Sequence, residues 1–133
     1  MSRYLTIAYA VFAWLFVAAL IVQVFLIGLA LFDDPSFRET HRQFGFVWVG
    51  LAAFLLLIVG VVARPGRREV GLLAGIFVLY IIQTSLPGFQ ASAPVVAALH
   101  PVLALGLFAM GIQVARLATA RVRAARVAAT PTR

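Results

Sequence analysis

Residues 4–32 read YLTIAYAVFAWLFVAALIVQVFLIGLALF, a run without a single charged side chain. A helix crossing a hydrocarbon core of ~30 Å needs about 20 apolar residues. This run exceeds that length, and it is also far longer than the apolar core of about 7–15 residues in a cleavable signal peptide. It therefore reads as a retained membrane helix. Three further stretches follow it, Phe44–Ala63, Val70–Leu86 and Pro94–Ala115, and the helix of the first of these begins near Phe37. The expected fold is an all-α integral-membrane four-helix bundle. Its helices cover 4–32, 37–63, 69–87 and 94–115, a basic tail covers 116–133, and the whole is a single transmembrane domain of residues 1–133.

Composition agrees. Hydrophobic residues make up 64% of the 133 positions and charged residues 11%, with a mean hydropathy of +1.06. A soluble domain needs about a quarter of its residues charged to cover its surface. A soluble globular domain, a disordered chain and a nucleic-acid-binding domain are all excluded on that ground. The chain has no cysteine, which removes disulfides, thiolate metal sites and cysteine nucleophiles.

The positive charge works as a topological signal. There is no lysine. If all four helices span, Arg3, Arg64, Arg67, Arg68, Arg116, Arg121, Arg123, Arg126 and Arg133 share one side. Only Arg38 and Arg42 fall on the other, among Asp33, Asp34 and Glu39. With Glu69 counted, the first side carries +8 and the second −1. The positive-inside rule then puts both termini in the cytoplasm. The alanine- and arginine-rich composition suggests a bacterial chain, multi-pass in the cytoplasmic membrane. The tail after Ala115 is expected either to continue the fourth helix onto anionic lipid or to act as an insertion anchor that fades into disorder.

The two halves of the chain repeat one another. Gln23, Leu26 and Gly28 spell Q-x-x-L-x-G, and so do Gln83, Leu86 and Gly88. His41 and His100 follow the two glutamines, and each has a small residue four places later, Gly45 and Ala104. The repeat predicts two helical hairpins related by a pseudo-twofold along the membrane normal, with the second and fourth helices facing each other.

Ionisable residues inside a membrane are expensive and mark functional sites. Two facing histidines at similar depth suit the two axial positions of a haem iron, and bundle interiors hold such cofactors on facing helices. The expected cofactor is haem b, ligated by His41 and His100. Gly45 and Ala104 would leave room for the macrocycle, and the same faces continue as His41, Gly45, Trp48, Ala52 and as His100, Ala104, Leu107, Gly111. Arg42 or Arg38 would pair with a propionate, or would simply flank the membrane. Gln23 and Gln83 would orient the histidines, bind a propionate, or hydrogen-bond between helices. Zinc fits poorly, because two histidines lack a third strong ligand. Gly71 and Gly75, in G-x-x-x-G, read as packing residues, as do Trp48 and Tyr80.

The motifs H-R-x-x-G at His41–Gly45, Q-x-x-L-x-G at Gln83–Gly88 and H-P-x-x-A-L at His100–Leu105 resemble one half of the haem A synthase family. Those proteins look like a tandem duplication of a four-helix unit with a histidine pair on its second and fourth helices. The chain more closely resembles small single-unit bacterial membrane proteins grouped as an uncharacterised four-helix family. The resemblance implies haem ligation by His41 and His100. It does not carry over the catalytic glutamate, which in the synthases stands one turn before the histidine. Glu39 is two residues before His41, about 200° round a helix.

The expected function is thus a small b-type haem protein, transferring electrons or handling haem at the outer side, with a membrane redox protein or quinone as partner and self- or hetero-association possible. A cofactor-free accessory subunit of a membrane complex and a haem-modifying enzyme are the alternatives. Reporter fusions at Gly66 and at residue 133 should both read cytoplasmic. A periplasmic signal at either would contradict the topology.

Overall fold

The computed structural model describes residues 3–128, and these are helical with no strand among them. Helix α1 is Arg3–Phe32. Helix α2, Phe37–Phe44, runs through a widened π turn at Gly45–Val49 into α3, Gly50–Val62. Helix α4, Arg67–Ser85, tightens into a 3₁₀ turn at Leu86–Phe89. A single turn, α5 at Pro94–Ala97, precedes α6, Leu99–Ala128. The segments Arg3–Phe32, Phe37–Val62, Arg67–Phe89 and Pro94–Ala128 are each long and apolar enough to cross a membrane.

The connections follow from local chemistry. Pro35 cannot continue α1, and Asp34 Oδ1 accepts a hydrogen bond from the Ser36 amide at 2.8 Å to close the turn. That bond holds the exposed Asp34 carboxyl below the usual carboxylate range. Arg64 ends α3 in the left-handed conformation, at φ 47°, the place where glycine is the common choice. Pro94 and Pro101 stand in first turns, where the missing N–H has no helical partner to lose.

Helix α1 packs on α6 and α3, and α4 packs on the same two, so α3 and α6 stand diagonally across the bundle. Tyr9, Ala13, Phe16, Leu56, Leu73, Ile76, Leu107, Val114 and Ala118 form the core. Small residues let the backbones approach. A side chain at Gly60 would meet Leu73 and Tyr9, and one at Gly75 would meet Met110 at 2.8 Å. Gly71 has nothing near it, so the G-x-x-x-G motif is half packing and half exposed surface. Outward, the bundle presents Val24, Phe25, Phe46, Val78, Ile81 and Leu105. An apolar exterior of that extent is unfavourable in water and natural in lipid.

Of the two readings of the tail, the continuing helix is the one found among the described residues. It does not end at Ala115 but stays helical to Ala128. Alanine and arginine are strong helix formers, and tertiary contacts add to that: Val114, Ala115 and Ala118 are buried, and Trp14 Nε1 donates to Thr119 Oγ1 at 3.0 Å. Arg121 also reaches back to Glu69, donating from Nε at 2.8 Å and from Nη2 at 2.5 Å to Oε1. Tyr9 donates its hydroxyl to Glu69 Oε2 at 3.3 Å. Arg133 lies outside the described residues.

Glu69 is buried and Arg121 is a third exposed. Removing one member of a fully buried pair typically costs about 3–5 kcal/mol, and partial exposure lowers that. Arg121→Leu should therefore destabilise the bundle by roughly 2–3 kcal/mol. Glu69→Leu combined with Arg121→Leu should be less damaging than either single change. Unfolding in mixed micelles measures this, and simple additivity would show that the two side chains are not coupled.

Candidate functional site

Gln23 lies on α1 and His41 on α2, and two hydrogen bonds lock them together. His41 Nδ1 is 2.9 Å from the backbone oxygen of Gln23, and Gln23 Nε2 donates to the backbone oxygen of His41 at 2.8 Å. The other hairpin repeats the arrangement. His100 Nδ1 is 2.9 Å from the backbone oxygen of Gln83, and Gln83 Nε2 donates to the backbone oxygen of His100 at 2.7 Å. A carbonyl oxygen only accepts, so each Nδ1 carries the proton. Each Nε2 is then left with a lone pair. The two clamps thus set the same tautomer in both rings, the form in which Nε2 is a metal ligand or a base.

The rings meet across the diagonal of the bundle. Their centroids are 6.4 Å apart and their planes cross at 72°. Both histidines are half-buried, while Gln83 is buried. The side-chain oxygens Oε1 of Gln23 and Gln83 are buried without a hydrogen-bond partner. An unpaired buried acceptor costs about 1–3 kcal/mol. It occurs at equivalent atoms of both clamps, so the two halves share this unmet acceptor as well as their bonds.

The two small residues differ. Gly45 is buried, and a Cβ there would lie 2.5 Å from Gln23 Nε2. Its missing side chain therefore makes room for the Gln23 carboxamide, which also stands 3.1 Å from His41 Nε2. Ala104, one turn below His100, is half-buried. The face expected to run His41, Gly45, Trp48, Ala52 is corrected by the π turn. The extra residue moves burial to Val49 and Ala53, and Trp48 is 59% exposed. The face His100, Ala104, Leu107, Gly111 does run inward, but Gly111 is filled by Phe16 and Val17.

The π turn has a partner that the sequence pattern does not announce. Tyr80 donates its hydroxyl to the Phe46 backbone oxygen at 2.9 Å, in the space that Gly50 leaves open. Such turns cluster at functional sites, and this one begins four residues after His41. Gly45 and Gly50 bracketing the turn are the only hint in the sequence. The buried Glu69 is likewise invisible in the pattern, where it counts merely as an inner-side charge.

Arg38 and Arg42 do not join the histidines. Both are exposed, and Arg42 is paired with Glu39 through its Nε at 2.8 Å and Nη2 at 2.6 Å. Gln43 donates to the same carboxylate at 2.7 Å. The helix has already begun at Phe37, so Glu39 projects from the side of α2 away from His41.

A family of unknown function, DUF6220, matches residues 23–91, just over half of the chain. The chain belongs to that family. The matched segment starts at Gln23 and includes His41, Gly45 and Gln83, and it ends before His100. No curated protein and no solved structure matches the chain.

Proposed function

We propose that this DUF6220 protein is a small b-type haem protein of a bacterial cytoplasmic membrane, with His41 and His100 as the axial ligands of one haem near the outer surface. The observation that carries the reading is the histidine pair. Two imidazoles sharing one metal, each at about 2 Å from it, hold their ring centroids roughly 6 Å apart, and these rings are at 6.4 Å. The donor set and spacing thus fit two axial positions. Support also comes from the clamps, since a ligating histidine characteristically gives its other ring N–H to a carbonyl or carboxylate, which fixes its tautomer and raises its basicity.

A bound haem would supply one-electron chemistry. The chain's own contribution is positional. The Gln23 and Gln83 backbone oxygens hold the two Nδ1 protons, and the two carboxamides hold the backbones of the ligand-bearing helices. The Gln23 carboxamide must leave His41 Nε2 and the space over Gly45 before that lone pair can take a metal. The arginine asymmetry supports an orientation with both termini inside, which sets the histidines on the outer side. The matching clamps support the reading of two hairpins related by a pseudo-twofold. The sequence has one histidine pair, so electrons would be exchanged at the outer side or laterally, with a membrane redox protein or a quinone.

Wild-type protein purified from haem-supplied cells should show the reduced spectrum of a six-coordinate b-type haem. His41→Ala and His100→Ala should each lose that spectrum while remaining inserted and monodisperse. Ala104→Leu tests the space below His100 and should lower haem occupancy. Wild-type protein without haem bands, or histidine variants with unchanged spectra, would overturn the proposal in favour of a cofactor-free membrane subunit.

A further inference from the structure

At the end of the bundle away from the histidines, α1 and α6 cross without filling the valley between them. A shallow, open and mainly apolar depression of about 560 Å³ lies there, lined by Ile7, Val11, Leu15 and Val122 and also by the Trp14 indole, Thr119 and Arg126. On the other side of that indole lies a second depression, lined by Arg116, Thr119, Ala120 and Arg123 as well as Trp14. The indole is pinned in place by its hydrogen bond to Thr119 Oγ1, which in turn donates to the Ala115 backbone oxygen at 2.7 Å. A mainly apolar groove and a cationic shelf thus share one fixed aromatic wall.

Among the described residues the shelf holds no acidic side chain. The sequence holds four acidic side chains. Glu69 is taken by Arg121, and Asp33, Asp34 and Glu39 lie at the connection between α1 and α2, at the opposite end of the bundle. Arg116 and Arg123 are exposed and stand two turns apart on α6. Among the described residues no carboxylate is paired with either of them, and their charge complements an external anion. Guanidinium groups suit phosphate oxygens, which they bind through paired N–H donors. A tryptophan with one polar edge suits the boundary between hydrocarbon and headgroup.

We propose that this surface binds an anionic phospholipid, with an acyl chain in the groove beside Trp14 and the phosphate on Arg116 and Arg123. The site is independent of the histidine pair and of whatever that pair holds.

Trp48 and Trp14 are the only tryptophans, so a Trp48→Phe background isolates the fluorescence of Trp14. The protein is reconstituted in bilayers containing phosphatidylglycerol or phosphatidylcholine with identical brominated acyl chains, and quenching of Trp14 is followed against lipid mole fraction. The expected result is a preference for phosphatidylglycerol of about thirtyfold, given roughly 1 kcal/mol for each of the two arginines near the surface. Arg116→Gln with Arg123→Gln should abolish the preference and leave the phosphatidylcholine curve unchanged. Excess inorganic phosphate should not displace the lipid. Equal quenching by the two lipids in the unmodified arginine background would overturn the proposal. So would a preference that survives the double substitution, or full competition by phosphate, which would mark a site for a free anion.

Discussion

The reciprocal bond between a glutamine and a histidine seventeen or eighteen residues later organises one end of this bundle. A carboxamide and an imidazole are both costly inside an apolar structure unless their hydrogen bonds are made. Here each meets part of the other's demand by way of backbone atoms. Nδ1–H is given to a glutamine backbone carbonyl, and a carboxamide N–H is given to a histidine backbone carbonyl. Because the partners are backbone atoms, each clamp also joins two helices: α1 to α2, and α4 to α6. The consequence is chemical as well as structural. With both Nδ1 atoms engaged, the remaining lone pairs and the two unpaired glutamine oxygens make the histidine end of the bundle rich in acceptors and poor in donors.

The other end is held by a different kind of bond. Glu69, Arg121 and Tyr9 tie the start of α4 to the far part of α6 and to α1. Between these two polar layers the packing is apolar and depends on small residues, such as Gly60 against Leu73 and Gly111 against Phe16. The π turn interrupts that regularity beside the site. It re-aims α3 so that Val49 and Ala53 face the core, and it leaves the Phe46 carbonyl to be satisfied by Tyr80. One carboxamide fills the space over Gly45 and approaches His41 Nε2. No equivalent bond is found to His100 Nε2, so the two halves match in their clamps and differ at the second ring nitrogen.

Much of this was legible in the sequence. Uncharged runs of membrane-spanning length gave the four helices, because apolar length is a one-dimensional property. The paired Q-x-x-L-x-G motifs and the only two histidines gave the site, because equal spacing in two hairpins puts the same atoms together twice. What could not be read depends on three-dimensional accidents of packing. The π turn needs Tyr80 from another helix. The length of α6 depends on Arg121 finding Glu69, a contact spanning 52 residues. The role of Gly45 was foreseen as empty space, whereas the flexible Gln23 side chain fills it. Arg42 looked available to a ligand and is instead engaged by Glu39, one turn before it.

The central claim is that the two clamps aim both imidazoles at one metal. Electron paramagnetic resonance of the oxidised, haem-loaded protein tests it most directly, because the signal reports the spin state of the iron and the angle between its axial ligand planes. The account predicts a low-spin ferric signal of the strongly anisotropic type given by crossed imidazole planes, following the 72° between His41 and His100. A five-coordinate high-spin signal, or protein that retains no haem, would contradict it.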